Sequence, residues 1–313
     1  MKLLRNLLRV VLLLFIVLNL MAVFHAYKFT HFYDATNEPV IQRPEQMGFW
    51  QKTKSLFFGI NYYKSVNKAF PTGAYQTINF KTNDGLKIES WDWPIDSSQG
   101  YVVMFHGHGS SKSRILGEAA AMRKMGYSIL LVDFRAHGGS DGNTCTIGHD
   151  ESEEVKLVYD YARAHTKGKV VLWGISLGAA TITRAVAHEG VEPDQVILEM
   201  PFGSLSEAVK GRVRIMGIPE QPVATLLCFW GGVERGFWAF SHNPYEYAAS
   251  IKCPVLVQWG EKDPRVTRAE IDAIYGAIKG NNKKLVVYKD AGHESLYEKQ
   301  TDLWLKEIKS FLN

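Results

Sequence analysis

Continuous apolar runs alternate with amphipathic segments over residues 74–313, and this alternation restricts the fold more than any other feature of the chain. The apolar runs, which are typical of buried strands, are YVVMF, SILLVD, KVVLW, QVILEM, PVLVQW and KLVVY. The segments with helical character are 112–125, 150–165, 177–188, 267–279 and 295–312. This order predicts an α/β fold, with a mainly parallel central sheet and helices on both of its faces.

Two segments depart from the alternation. YQTINF and LKIESWDW flank Asn83-Asp84-Gly85, which predicts a hairpin that adds antiparallel strands at the sheet edge. Residues 203–247, which include CFWGGVERGFWAF, separate two predicted strands. An insertion at the carboxyl end of a parallel sheet covers the place where such sheets bind ligands, so we expect a small cap there.

The N-terminus carries a membrane signal. Val10 to Phe24 is an apolar stretch of fifteen residues in which only Asn19 is polar, and residues 1–9 hold three positive charges. This length lies between that of a signal peptide and that of a spanning helix. Cleavage after Ala22 or Ala26 would put a bulky residue where a small one is required. We therefore expect residues 1–29 to form an uncleaved N-terminal membrane helix, with a cleaved signal as the alternative.

This signal also bears on localisation. The positive flank stays in the cytoplasm, which puts the rest of the chain on the non-cytoplasmic side of a single-pass protein. Signal cleavage would instead give a secreted or periplasmic protein. Tyr27, Lys28 and Phe29 are expected at the bilayer interface. Residues 30–73 form a juxtamembrane segment or extension, which either lies on the bilayer or packs on the domain that follows at 74–313.

Charge and cysteine usage exclude several classes of protein. The net charge is +4, and three of these charges lie in the first nine residues, so the chain lacks the basic face of a nucleic-acid-binding protein. Cys145, Cys228 and Cys253 are too few and too scattered for a disulfide scaffold or a thiolate zinc site. The sequence leaves open whether two of them pair, and it leaves the oligomeric state open.

The segment Gly174-Ile175-Ser176-Leu177-Gly178 follows the strand KVVLW and begins a helix of small residues. A sharp turn between strand and helix strains the serine backbone and presents its hydroxyl at the top of the sheet. Gly174 and Gly178 remove side chains that would collide in such a turn. The G-x-S-x-G pattern is weak alone, but the strand before it and the helix after it favour Ser176 as a nucleophile.

With these motifs in order, the chain resembles the α/β-hydrolase fold superfamily over residues 74–313, and most closely its membrane-anchored serine hydrolases. The matching segments, each after a predicted strand, are HGHG, DFRAHGGS, GISLG, QWGEKDPRV and KDAGHES. The resemblance implies that Ser176 is the nucleophile, His293 the general base and Asp263 the acid that orients it. Glu199, at the end of QVILEM, is an alternative acid.

The resemblance also implies an oxyanion hole made by the backbone N–H groups of Leu177 and His108. His108 departs from the small or apolar residue usual there, and its side chain could crowd or polarise the pocket. His106 and His108 do not suggest a metal site, because no further ligand follows at metal spacing. The resemblance makes Asp133, Arg135 and His137 structural, because they order the loop after their strand. His149, in TIGHDES, is interpreted as a residue that begins a helix and not as a base. In the cap, Met216, Phe229, Trp230, Phe237 and Trp238 would line an acyl pocket or pack the cap on the core.

These expectations predict a serine hydrolase that cleaves a carboxylic ester or thioester through an acyl-enzyme. Its partners would be a small-molecule acyl substrate and the membrane, and the chemistry requires no metal or organic cofactor. The apolar cap and the anchor favour a lipid-like or long-acyl substrate. One alternative is a serine peptidase or amidase on the same triad. Another is a membrane-anchored, non-catalytic binding protein on a hydrolase fold.

Overall fold

The computed structural model describes residues 1–34 and 44–313. The strands in these residues are β1 (Phe32–Tyr33), β2 (Tyr62–Tyr63), β3 (Gln76–Lys81), β4 (Lys87–Trp93), β5 (Gly100–Phe105), β6 (Ser128–Val132), β7 (Lys169–Ile175), β8 (Gln195–Glu199), β9 (Val255–Gly260) and β10 (Lys283–Tyr288). The α-helices are α1 (Lys2–Thr30), α2 (Phe49–Phe58), α3 (Leu116–Lys124), α4 (Glu151–Ala164), α5 (Leu177–His188), α6 (Leu205–Met216), α7 (Val223–Arg235), α8 (Pro244–Tyr247), α9 (Arg268–Ala277), α10 (Leu296–Lys299) and α11 (Thr301–Leu312).

Strands β3 to β10 form one eight-stranded sheet in the order β10-β9-β8-β7-β5-β6-β4-β3. Neighbouring strands from β10 to β6 are parallel, whereas β4 runs antiparallel to both β6 and β3. Every residue of β5, β6, β8 and β9 is buried, which explains their continuous apolar sequences. The predicted α/β fold and its antiparallel edge hairpin are therefore confirmed.

One predicted helix differs in the structure. The closing segment 295–312 is two helices, α10 and α11, because Gln300 between them has a non-helical backbone with φ −141° and ψ 66°. Ser295 begins α10, where its side chain accepts a hydrogen bond from the backbone N–H of Glu298 at 3.1 Å. Helix α10 thus follows directly on the loop that carries His293.

Helix α1 has 29 residues and is long and apolar enough to cross a bilayer. Its first half is exposed, but Ala22, Ala26 and Thr30 form a buried face at four-residue spacing. This face packs on α7. The Cβ of Ala26 lies 3.8 Å from the position that a Cβ on Gly231 would take. The small residues thus allow the second half of α1 to lie against the insertion between β8 and β9.

Polar contacts also hold α1 and its neighbouring helices together. The indole N–H of Trp230 donates to Asn19 Oδ1 at 2.9 Å, and Arg235 Nε donates to Thr30 Oγ1 at 2.7 Å. The His25 ring donates to a carbonyl oxygen of α2 at 2.8 Å. In turn, Lys52 of α2 donates to the carbonyl oxygen of Ile215 at 2.6 Å. Helix α2 therefore bridges α1 and α6. Residues 35–43 of the predicted extension lie outside the described residues.

Candidate active site

Ser176 is the single residue between the end of β7 and the start of α5. Its φ of 53° and ψ of −106° are strained for a non-glycine residue. A Cβ on Gly174 would lie 2.5 Å from the carbonyl carbon of Gly178, and one on Gly178 would lie 2.4 Å from the carbonyl oxygen of Phe105. Both glycines are thus required for the helix to approach the sheet this closely, and the turn holds the Ser176 hydroxyl at the carboxyl edge of the strands.

His293 and Asp263 meet Ser176 from two other loops at this edge. His293, after β10, places Nε2 3.0 Å from Ser176 Oγ and Nδ1 2.6 Å from Asp263 Oδ2. Asp263, after β9, has a fully buried side chain. Its other oxygen, Oδ1, accepts the backbone N–H groups of Arg265 at 2.7 Å and Val266 at 3.0 Å. The aspartate is therefore held so that one oxygen alone faces the imidazole.

Glu199, the alternative acid, lies in a different environment. Its Oε1 accepts the indole N–H groups of Trp173 at 2.9 Å and Trp304 at 2.7 Å. Burial raises the pKa of Glu199 to about 8. The structure thus brings Asp263 to His293 and leaves Glu199 as a buried hydrogen-bond acceptor in the core.

The loop after β5 also borders Ser176. A Cβ on Gly107 would lie 3.7 Å from the Cβ of Ser176. His108 is the next residue in this loop. Leu177 is the first residue of α5, and the first N–H groups of a helix have no partner within it. The two N–H groups predicted for the oxyanion hole therefore lie on the two segments that flank the Ser176 side chain.

The His108 side chain connects this loop to α1. Its ring stacks on Phe29 at 4.7 Å with an interplanar angle of 19°, and Nε2 donates to the carbonyl oxygen of Phe29 at 3.2 Å. Burial, followed by the positive charge of Arg212, lowers the pKa of His108 well below its usual value, so the ring is neutral. Phe29, which the sequence places at the bilayer interface, is half-buried against the loop after β5.

Two other histidines order the same loop. His137 donates through Nδ1 to the carbonyl oxygen of Arg135 at 2.7 Å, which leaves Nε2 to accept the N–H of Gly109 at 3.0 Å. Burial lowers the pKa of His137 to about 3, so this neutral tautomer persists. His106 Nε2 accepts the N–H of Phe134 at 3.2 Å. The sequence treats His137 as structural, and the structure adds that it positions the backbone beside His108.

The remaining polar residues have local partners. Asp133 Oδ1 accepts the backbone N–H of Lys112 at 2.7 Å, and Arg135 forms an ion pair with the buried Glu154. His149 Nδ1 lies 2.7 Å from Asp150 Oδ1, at the start of α4. All three cysteines, which lie within the described residues, are unpaired.

A cavity of about 1060 Å³ joins these residues to the cap and to α1. Ser176, His293 and His108 form part of its wall, and residues of α1, α6 and α7 form another part. Of the predicted aromatic and methionine residues of the cap, Met216 and Phe237 line the cavity, whereas Phe229 and Trp238 are exposed. The participation of α1 was not predicted, because it depends on how the N-terminus packs on a helix two hundred residues away.

Two family models match overlapping parts of the chain. Residues 96–228 match the family described as serine aminopeptidase, S33, and residues 211–305 match the dienelactone hydrolase family. Together they cover the strands from β5 to β10 and the three loops that carry Ser176, Asp263 and His293.

Known proteins are similar over most of the chain. YqkD of Bacillus subtilis (strain 168), an uncharacterized protein, is 24% identical over 73% of this chain and 76% of its own. The lysophosphatidylserine lipase ABHD12 of Xenopus tropicalis is 23% identical over 72% of this chain and 57% of its own. The solved structure of the Pyrococcus furiosus esterase Pf2001 has a TM-score of 0.64 and 25% identity, over 81% of this chain and 96% of that one. The chain therefore belongs to the α/β-hydrolase superfamily, as an esterase- or lipase-like enzyme.

Proposed function

We propose that the chain is a serine hydrolase that cleaves a carboxylic ester or thioester through an acyl-enzyme. The observation that carries this proposal is the continuous hydrogen-bond series from Ser176 Oγ through His293 to Asp263, at the wall of a large cavity. In this proposal Ser176 is the nucleophile, His293 the general base and acid, and Asp263 the residue that orients the imidazole.

The geometry gives each proton a path. His293 donates from Nδ1 to Asp263, so its Nε2 lone pair faces the Ser176 hydroxyl 3.0 Å away. As Oγ attacks the acyl carbon, its proton passes to Nε2, and the same proton then goes to the leaving alcohol or thiol. The acyl group stays on Ser176. Water then attacks the acyl-enzyme by the same route, which releases the acid and restores the serine.

The negative charge of each tetrahedral intermediate develops on the former carbonyl oxygen. The backbone N–H groups of Leu177 and His108 would donate to it, and the Gly109 N–H that His137 holds keeps the second segment in place. Removing one such donor costs roughly a hundredfold to a thousandfold in kcat in other serine hydrolases. The neutral His108 ring, stacked on Phe29, leaves the backbone of His108 as the donating group.

An apolar acyl chain fits the remaining wall of the cavity. Leu18 and Met21 of α1 line it together with Val213 of α6 and Leu226 and Leu227 of α7. Helix α1 reaches the cavity at one end and is apolar over residues 10–18, so a lipid would have an apolar path along this part of the helix to the site. The relatives named as lysophosphatidylserine lipases also support a lipid-like, long-acyl substrate.

We further propose that α1 is retained as a membrane anchor, with the catalytic domain on the non-cytoplasmic side. Its buried face against α7 and its place in the cavity wall support retention, because cleavage after Ala26 would remove part of that wall. Mass spectrometry of the full-length protein from membranes tests this. A mature N-terminus at Tyr27 would contradict it. Protease accessibility in sealed vesicles shows on which side of the membrane the catalytic domain lies.

An amidase or peptidase on the same triad is the second candidate, and the match to the serine aminopeptidase family favours it. The chemistry differs only in the leaving group, since His293 must protonate an amine in place of an alcohol. The third candidate is a non-catalytic binding protein. It requires that Ser176 not be activated by His293 despite their hydrogen bond.

The deciding experiment uses the full-length protein in detergent. A fluorophosphonate should form an adduct on Ser176, and Ser176→Ala should lose the adduct together with at least about 10⁴-fold of the esterase activity. Nitrophenyl esters from butyryl to palmitoyl, compared with the nitroanilides of the same acids, separate esterase from amidase and give the preferred chain length. A folded protein with no adduct and no turnover would contradict the proposal and favour the binding protein.

A further inference from the structure

Arg212 of α6 lines the cavity without a carboxylate partner. Among the residues that the structure describes, its guanidinium has a single hydrogen bond, from Nη1 to the carbonyl oxygen of Ala208 at 3.3 Å. It also lies over the Phe29 ring, 4.7 Å from the centroid. A guanidinium fork carries several N–H donors, so most of those on Arg212 have no hydrogen-bond acceptor among the described residues.

A second guanidinium adds to the positive charge. Arg265 also lines the cavity, but its Nε is ion-paired with Glu45. This ion pair neutralises Arg265 and leaves the charge of Arg212 without a carboxylate partner among the described residues. Burial, followed by the charge of Arg265, lowers the pKa of Arg212 to about 10, which still leaves it protonated at neutral pH. Over the whole described lining, lysines and arginines outnumber carboxylates by seven to three.

The position of Arg212 relative to Ser176 follows from one series of contacts. Arg212 lies on the Phe29 ring, Phe29 stacks on His108, and the adjacent Gly107 borders Ser176. The cation thus lies in the same cavity as the nucleophile and on the side of the oxyanion loop. An incompletely paired cation in a partly desolvated site is costly, and an anionic ligand would offset that cost.

We propose that Arg212, supported by Arg265, binds an anionic phosphate headgroup on the ester that Ser176 attacks. The guanidinium fork suits phosphate because two N–H groups can donate to two of its oxygens. The substrate class would then be a single-chain lipid ester whose glycerol carries a phosphate, with the acyl chain along α1 and α7. This inference rests on the proposed hydrolase function and adds the chemistry of the headgroup.

The test compares two substrates that differ only in the headgroup: monooleoylglycerol and oleoyl lysophosphatidylglycerol. In full-length protein, Arg212→Gln should lower kcat/KM for the lysophospholipid about tenfold to a hundredfold, which is the effect of losing one charge-assisted contact. Hydrolysis of monooleoylglycerol should not change. Arg214→Gln is the matched control, because Arg214 is on the same helix but is exposed and pairs with Glu220 at 2.7 Å.

A second measurement identifies the source of the anion. Hexadecyl phosphate should inhibit monooleoylglycerol hydrolysis by the wild type and lose potency against Arg212→Gln, whereas hexadecanol should inhibit both equally. Inhibition by inorganic phosphate alone would indicate a small-anion site and overturn the headgroup assignment.

Other outcomes also decide the matter. If Arg212→Gln lowers activity on both substrates equally, the arginine only supports Phe29 and the proposal is wrong. If the wild type cleaves monooleoylglycerol but not the lysophospholipid, the headgroup proposal fails and the hydrolase function stands. If neither is cleaved and the fluorophosphonate does not label Ser176, the hydrolase proposal itself fails, and the headgroup proposal fails with it.

Discussion

Asp263→Asn changes one atom of the hydrogen-bond series and reverses its direction. In the wild type, Asp263 Oδ1 accepts two backbone N–H groups, so Oδ2 alone accepts from His293. An asparagine must keep its carbonyl oxygen toward those two N–H groups. Its NH₂ group then faces His293 Nδ1, which has to become the acceptor. The imidazole proton consequently moves to Nε2. Nε2 then has no lone pair facing the Ser176 hydroxyl and cannot accept its proton.

The expected loss of kcat in Asp263→Asn follows from losing the general base while the fold is kept. A wrong imidazole tautomer lowers kcat by about 10⁴-fold in a serine protease with the same three residues. That corresponds to about 5 kcal/mol of transition-state stabilisation. KM should change little, because Asp263 is buried behind His293 and does not line the cavity.

The assay is kcat and KM on a nitrophenyl ester, with the rate of fluorophosphonate labelling as a second readout. Circular dichroism verifies that the variant is folded. Asp290→Asn is the matched control, since Asp290 is an exposed acid in the same loop as His293 and pairs with Lys262 at 2.8 Å. If Asp263→Asn keeps activity close to that of this control, the orienting role of Asp263 is refuted.

Two predictions concern stability. Gly178→Ala places a methyl group 2.4 Å from the backbone oxygen of Phe105 in a central strand, so it should destabilise the fold by about 3 kcal/mol or more in guanidinium unfolding. Gly276→Ala in α9 meets no atom within 4 Å, so it should leave stability unchanged or slightly raised, and an equal loss in both variants would contradict the clash. For Glu199, burial raises the pKa from 4.5 to about 8, so the proton it retains stabilises the fold below about pH 4.5 and this contribution is lost as the pH rises through 8. Glu199→Gln keeps the neutral form, so its unfolding midpoint should exceed that of the wild type increasingly from about pH 5 to pH 8, and parallel pH profiles would refute the shift.

The strands and helices of the sheet were predictable from local pattern. The apolar runs of β5, β6, β8 and β9 are nearly continuous because every residue of these strands is buried, which leaves few positions for a polar side chain. The turn at Ser176 was predictable for a similar reason, since Gly174 and Gly178 have the spacing that a close approach of helix and strand requires. Both are short-range effects that few residues determine.

The break at Gln300 and the location of Phe29 were not predictable. Helical periodicity continues through Gln300, and only the backbone conformation separates α10 from α11. Phe29 is an aromatic residue at the end of the apolar N-terminal helix, the residue type expected at a membrane interface. Its contact with His108 depends on a fold that brings residue 29 to residue 108.

The sequence by itself determined the fold class, the order of the candidate catalytic residues and the apolar N-terminal helix, because hydrophobic periodicity and turn chemistry act over a few neighbouring residues. Tertiary structure decided which of two strand-end acids meets His293, since the direction of a side chain at a strand end depends on the loop that follows. It also decided that α1 forms part of the cavity wall and that Arg212 lies there with its charge unpaired among the described residues. Such contacts join residues far apart in the chain, and only the packed molecule brings their charges and surfaces together.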